Sequence, residues 1–301
     1  TKNEKLIKWH SGLIPKGASG KHGDFCENKV VVGLYRPFTK VHSYFDKMFV
    51  QRTAQMLRIF PSAKSDNLVI CVSGNGAKAP STIITNTLPD LQVEFNGQCF
   101  PMYLYEDEAR AEDTQRDIFG SKKTSEKNRR DAITDEGLKH FSDAYPCEGI
   151  SKEDLFYYIY GLLHSPDYRK RYADNLSKEL PRIPRVKGAK DFWSFSHAGR
   201  ALADLHLNYE TVVPYSRVSV TATAARSDAD YRVEKMKFGK DKDRTTIIYN
   251  NKITVSGIPL EAYDYVVNGR SPIEWVMDRQ LVKTDKDSGI VNDANDWAIE
   301  T

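Results

Sequence analysis

The chain has 301 residues, of which 28% are charged and 40% hydrophobic, and a net charge of +3. That length can bury a sizeable core as one large domain or two small ones, and the composition excludes a disordered polypeptide. No apolar run reaches the ~20 residues that span a bilayer and no signal peptide opens the sequence, so no membrane partner is expected.

The four cysteines (Cys26, Cys71, Cys99, Cys147) are widely spaced and form no C-x-x-C pair. Cys71 and Cys99 lie in apolar, strand-like runs, which predicts reduced core thiols and a cytoplasmic protein. The sequence opens on Thr1 without methionine and stops just after Trp297-Ala298-Ile299, as expected of a piece excised from a longer polypeptide.

Residues 1–29 carry Gly12, Gly17, Gly20, Gly23 and Pro15 without any period and read as a loop-rich approach. Strand signals follow at Val30–Tyr35, Val41–Asp46, Leu68–Val72, Thr82–Thr85, Leu91–Phe95 and Cys99–Leu104, with Asn96-Gly97 as a hairpin turn. Gly74-Asn75-Gly76-Ala77-Lys78-Ala79 after Val72 has the form of a dinucleotide-binding turn, and Glu94 stands where a ribose-binding carboxylate would be sought. That chemistry needs a helix N-terminus after the loop, whereas Pro80-Ser81-Thr82-Ile83-Ile84-Thr85 is β-branched and strand-forming. A Gly-rich hairpin is therefore predicted.

Residues 106–131 are densely charged, acidic first and basic later, with only Ile118 and Phe119 to anchor them, and read as a mobile excursion. Thr134 gives a weak helix start, and Ser151-Lys152-Glu153-Asp154 is a capping box before apolar positions 155, 156, 159, 162 and 163. Ser165-Pro166 opens a helix predicted to run to Leu180, closed by Pro181 and Pro184. A third helix spans Asp191–Asn208, with Phe192, Phe195, Leu202, Leu205 and Leu207 as its expected core side. Strands return at Val218–Thr223, Tyr231–Phe238, Thr245–Tyr249 and Lys252–Val255; Pro259 and Ser271-Pro272-Ile273-Glu274 open short helices on either side of Asn268-Gly269. Strands, then a helical cluster, then strands with short C-terminal helices predict an α+β fold.

Catalytic and metal motifs are missing: there is no H-E-x-x-H, no G-x-S-x-G and no Cys/His zinc spacing. His164 and His206 lie at ends of amphipathic helices, where core or capping roles are expected. Asp285-Lys286-Asp287-Ser288-Gly289 departs from a calcium loop, with its glycine one place early and Asp296 at position twelve.

Basic charge is concentrated instead. Between Asp167 and Lys190 stand eight basic residues (Arg169, Lys170, Arg171, Lys178, Arg182, Arg185, Lys187, Lys190) against three acids. Between Tyr231 and Thr245 stand six (Arg232, Lys235, Lys237, Lys240, Lys242, Arg244) against three. With Tyr168, Tyr172 and Tyr231 interleaved, the two stretches suggest one positive face, against the plainer reading of solvated surface.

Several longer stretches carry a resemblance: Leu34-Tyr35-Arg36-Pro37-Phe38-Thr39-Lys40 with Tyr44-Phe45-Asp46, Cys99-Phe100-Pro101-Met102-Tyr103-Leu104-Tyr105, Ile150 to Val186, Asp191-Phe192-Trp193-Ser194-Phe195, and Val291-Asn292-Asp293-Ala294-Asn295-Asp296-Trp297-Ala298. Together they resemble the C-terminal specificity portion of single-chain type ISP restriction–modification enzymes, from Val30 to Thr301, fading in 1–29 and 106–131. The resemblance implies a single target recognition domain over 1–301, reached from a preceding methyltransferase region. It implies double-stranded DNA as partner and no cofactor in this segment. ATP, magnesium and S-adenosylmethionine would serve an upstream translocase/nuclease and adenine methyltransferase of the same polypeptide.

Such a domain needs phosphate contacts to position it and polar side chains at base edges to specify sequence. Arg169, Lys170, Arg171, Arg182, Arg185, Lys187, Lys190, Lys235, Lys237 and Lys240 are the expected phosphate contacts. Ser73, Asn75 and Lys78, on the glycine-rich loop, are the candidate base readers. Two other readings stay open: a nucleotide-binding enzyme using the 73–79 loop, and a coupler that touches DNA non-specifically.

Overall fold

The structure, a computed structural model, describes residues 13–20, 23–50, 53–77, 80–105, 129–222, 227–286 and 289–296. Six strands come first: β1 (Val30–Arg36), β2 (Thr39–Tyr44), β3 (Val69–Val72), β4 (Thr82–Thr85), β5 (Leu88–Pro89) and β6 (Gln98–Pro101), with the short helices α1 (Leu13–Ala18) and α2 (Met56–Ile59) beside them. β1 pairs antiparallel with β2 and parallel with β5, while β3 lies between β4 and β6, antiparallel to both.

Every residue of β3 and β4 is buried, and the period of two explains why. Ile70, Val72 and Ile84 face a core shared with the helices; Val69, Cys71 and Ile83 face a second core with Leu34, Phe38, Ile59 and Phe60. A strand buried on both faces reads as an unbroken apolar run, as Leu68–Val72 does.

β7 (Tyr103–Tyr105) pairs antiparallel with β8 (Arg129–Asp131), and Arg129 lies over the Tyr103 ring at 4.1 Å. The last three residues of the charged segment are thus ordered strand, held by this pairing, and not excursion; residues 106–128 lie outside the described residues. Because Tyr105 and Arg129 are direct cross-strand partners, a short turn can join them without moving either strand. Replacing 106–128 by such a turn should leave the melting temperature within about 2 °C of wild type. A larger drop would show that the segment packs on the fold.

The helices are α3 (Asp135–Ser142), α4 (Lys152–His164), α5 (Pro166–Arg171), α6 (Ala173–Leu176) and α7 (Ala189–Leu207). Thr134 caps α3 by accepting the Gly137 N–H, and Ser151 with Asp154 forms the predicted capping box of α4. The helix expected over 166–180 breaks at Tyr172 (φ −110°, ψ 20°) and ends at Leu176.

α4 is buried nearly all round, and α7 crosses it where their backbones touch. A Cβ built on Gly161 would lie 2.2 Å from the Phe195 carbonyl oxygen, and one on Gly199 would lie 2.0 Å from that of Tyr157. This close approach selects small residues, so α7 buries Phe192, Ser196, Gly199, Ala203 and His206. Of the core side expected from sequence, Phe192 is buried and Phe195, Leu202 and Leu207 pack half-buried against the same core, whereas Leu205 is 50% exposed.

A four-stranded sheet has the order β10-β11-β12-β9, from β9 (Ser219–Ala222), β10 (Lys237–Phe238), β11 (Thr246–Ile248) and β12 (Ile253–Ser256). The strand expected over 231–238 shrinks to β10, because Asp228–Tyr231 coils into a 3-10 turn. Val233, Met236, Ile247 and Ile258 form its own core. α8 (Pro272–Arg279) starts on a capping box of Ser271 and Glu274, and β13 (Val282–Thr284) pairs with β14 (Val291–Asp293). The stretch that departs from a calcium loop is the turn between those two strands; its residues 287–288 lie outside the described residues. Among the described residues no helix is long and apolar enough to cross a membrane.

Candidate nucleic-acid interface

The Gly-rich stretch is a hairpin loop: β4 returns antiparallel to β3, with Val72 opposite Thr82. No helix follows it, so the N-terminal amides a pyrophosphate would need are missing there. Glu94 is no ribose ligand either, being 1% exposed. Its Oε2 accepts the Ser73 hydroxyl at 3.0 Å and the Ser81 hydroxyl at 2.5 Å, and Oε1 has no partner among the described residues. Burial lifts its pKa to about 7, against the pull of those two hydroxyls and the Arg169 charge.

This anchoring explains why residues 91–95, expected as a strand, form an irregular turn with Val93 and Glu94 tucked inward. The turn presses on the hairpin loop. The Gly74 N–H donates to the Phe95 carbonyl at 2.8 Å, and a Cβ on Gly74 would meet the Asn96 carbonyl oxygen at 2.1 Å. Asn75, next in chain to Gly74, and Asn96, against which Gly74 packs, are both exposed, with Asn96 at φ 45°.

Ser73 does not reach that surface. It is 9% exposed, accepts the Ser81 N–H at 2.9 Å and donates to Glu94, because it prolongs the β3–β4 pairing inward of the loop. Of the three expected base readers, Asn75 alone is placed at the surface, since Lys78 lies outside the described residues.

The first basic stretch is held as a rail. Three tyrosine hydroxyls of the helical core donate to alternate carbonyls of the extended segment after α6: Tyr168 to Arg182 at 2.8 Å, Tyr158 to Pro184 at 2.6 Å and Tyr145 to Val186. Ile183 and Val186 pack on the core, and Pro181 and Pro184 restrict the backbone. Arg182, Arg185 and Lys187 are left exposed. Burial raises the pKa of Tyr158 and of Tyr168 to about 12, so both hydroxyls keep their protons and remain donors.

Of these three tyrosines the sequence marked only Tyr168, among the aromatics interleaved with the basic stretch. Arg182 pairs with Glu179 at 3.0 Å, yet its side chain is 85% exposed and the pair is worth little. Arg185 donates to the His140 carbonyl at 2.8 Å. Lys170, Arg171, Lys178, Lys187 and Lys190 are exposed and carry no ion pair among the described residues.

Arg169 departs from its expected role. Its Nε donates to the Leu163 carbonyl at 2.7 Å and its Nη2 is buried, because α5 starts one residue after α4 and turns Arg169 back over the end of that helix. It is half-buried, and its charge is felt at Glu94.

In the second stretch Arg232 and Arg244 are neutralised by Asp293 and Glu274, at 2.6 and 2.8 Å. Lys235, Lys237 and Lys240 are exposed and unpaired among the described residues, on or beside β10. No hydrogen bond or strand pairing joins this stretch to the rail among the described residues. The first basic stretch meets the loop just ahead of the rail: the Gly76 N–H donates to the carbonyl of Ser177, at the end of α6, at 3.3 Å. The structure therefore brings Asn75 to the first cluster alone.

Comparison with known proteins identifies the class. The chain belongs to the family of the Type ISP C-terminal specificity domain, whose model matches residues 1–301. Among solved structures it is similar to the ATP-dependent Type ISP restriction-modification enzyme LlaBIII bound to DNA, at 37% identity and TM-score 0.84 over 98% of this chain and 18% of that one. It is similar to a nuclease-deletion mutant of the Type ISP restriction-modification enzyme LlaGI in complex with a DNA substrate mimic (37% identity, TM-score 0.80, 99% of this chain and 21% of that one). It also resembles a DrdV–DNA complex (32% identity, TM-score 0.79, 98% of this chain and 27% of that one). The chain thus spans between 18% and 27% of the length of these proteins. No curated protein matches it.

Proposed function

We propose that this domain recognises a specific double-stranded DNA sequence for a restriction–modification polypeptide and carries no catalytic group of its own. It would direct an upstream adenine methyltransferase and an ATP-dependent translocase and nuclease in the cytoplasm. ATP, magnesium and S-adenosylmethionine would bind those upstream domains.

The observation that carries this reading is the junction of Gly76 with Ser177, which ties the loop of an exposed asparagine to the basic stretch just ahead of its stiff row of cations. Cations on phosphates position a protein on duplex DNA, and an amide at a base edge reads it. The stiffness matters because little ordering entropy remains to be lost on contact.

Titrating the chain with duplex DNA over a range of salt tests this. With about 6 phosphates neutralised, log K against log[salt] should slope near about −5. A slope shallower than about −2 would reduce the basic stretches to solvated surface. Replacing Arg182, Arg185 and Lys187 together by alanine should weaken binding to all duplexes alike and flatten the slope by up to about 3.

A further inference from the structure

Three loops, the last far from the other two in sequence, converge on one buried carboxylate. Glu94 receives the Ser73 hydroxyl from the base of the 73–77 loop and the Ser81 hydroxyl from its far side. The Ser81 oxygen in turn accepts the backbone N–H of Asn268 at 2.8 Å, from the turn 267–270. The Asn268 side-chain amide completes the circuit, donating to the carbonyls of Gln92 and Val93, each at 3.3 Å. That turn is a tight one, with Asn268 and Gly269 both at positive φ and Val267 bridged to Arg270.

What these ties hold in place is a small surface of amides. Asn75 and Asn96 are exposed, and the Gln92 amide donates to Asn96 Oδ1 at 3.4 Å. The same turn carries Phe95 and Leu91, 41% and 65% exposed. Asparagine and glutamine can each pair with an adenine edge, and an apolar group can meet a thymine methyl. A free glycine-rich loop would present such groups in many arrangements and lose discrimination to entropy.

We infer that Glu94 is a positioning residue for base reading: it locks the 73–77 loop, the 91–97 turn and the 267–270 turn into one head that presents Asn75, Gln92 and Asn96 together. This rests on the DNA-recognition reading above. Glu94 touches no base itself and acts through Ser73 and Ser81. A carboxylate is suited to the task, since one oxygen accepts two hydroxyls at once.

The test uses a duplex DNA pool randomised through its central segment. Affinity for the starting pool reports phosphate contacts, and sequence enrichment after selection reports base reading. Wild type should enrich a sequence. Glu94→Ala should lose about tenfold or more of that enrichment while binding the starting pool within about twofold of wild type. Glu94→Gln, whose amide oxygen still accepts both hydroxyls, should restore most of it. Asn268→Gly keeps the positive φ, removes the amide clamp and should also lose enrichment; it decides the matter if Glu94→Ala does not fold.

Wild-type enrichment in folded Glu94→Ala, or in Asn268→Gly, overturns the inference and leaves the DNA reading standing. A loss in Glu94→Gln as deep as in Glu94→Ala overturns the hydrogen-bonding role. A wild type that enriches nothing sinks the recognition reading itself, and the inference with it.

Discussion

Gly199→Ala is expected to destabilise the fold by about 3 kcal/mol or more, at or beyond the upper end of overpacking costs. An exposed helical glycine would behave oppositely, since alanine gains about 1 kcal/mol there. The sign inverts because the new methyl would sit 2.0 Å from the Tyr157 carbonyl oxygen and 2.7 Å from the Gly161 nitrogen. Both are backbone atoms of a buried helix, so neither can swing away. Relief requires α4 and α7 to separate, which loosens the Tyr158–Phe192 ring stack at 4.8 Å and the core around it. The measurement is denaturant unfolding of wild type and variant. A Gly199→Ala midpoint at or above wild type would mean the helices do not touch as described.

The reach of the sequence follows from what each feature depends on. The capping boxes at Ser151 and Ser271 and the hairpin around Gly74–Ala77 are local, and each was legible because three or four neighbouring residues decide it. The α7 core face was read in part: Phe192, Phe195, Leu202 and Leu207 do pack on the core, but periodicity marks large apolar residues and passed over Gly199, the small one that the contact with α4 needs. Glu94 was noticed only for its spacing from the Gly-rich loop and placed in a strand, since a lone charge gives no sign of burial; its anchoring runs through Ser81 to Asn268, a link across 187 residues. The cations were countable, but charge alone could not tell that Arg169 turns inward while Arg182 and Lys187 turn out. Nor could it show the tyrosines that hold the rail from 14 and 26 residues away.

Acid should unfold this protein through two buried histidines. His206 Nδ1 meets the Tyr160 hydroxyl at 2.6 Å, and His164 Nδ1 meets the Tyr160 carbonyl at 2.9 Å. The Tyr160 oxygen already accepts the Ile84 N–H at 3.2 Å, which leaves its own proton to donate to Nδ1 of a His206 ring that burial keeps neutral. Tyr265 stacks on both imidazoles, and Arg169 adds a like charge near His164. Burial, the largest cause in each case, lowers the pKa of His164 to about 4 and that of His206 to about 3, from 6.5. The unfolded chain therefore binds more protons than the folded one below pH 6.5, and stability falls with pH there. Glu94 opposes this: with its folded pKa near 7 and its unfolded value at 4.5, it favours the fold as pH drops between them. Two histidines against one carboxylate leave a net loss of about 1.4 kcal/mol per pH unit from 6.5 to 4.5, steepening to about twice that just below 4.5. Urea unfolding at pH 7.0, 5.5 and 4.5 reads this directly. His206→Asn keeps an acceptor near the Nδ1 position but cannot take up a proton, so its stability should be nearly flat from pH 6.5 to 4.5. A variant with the wild-type pH slope would remove His206 from the account and leave acid sensitivity to groups elsewhere in the fold.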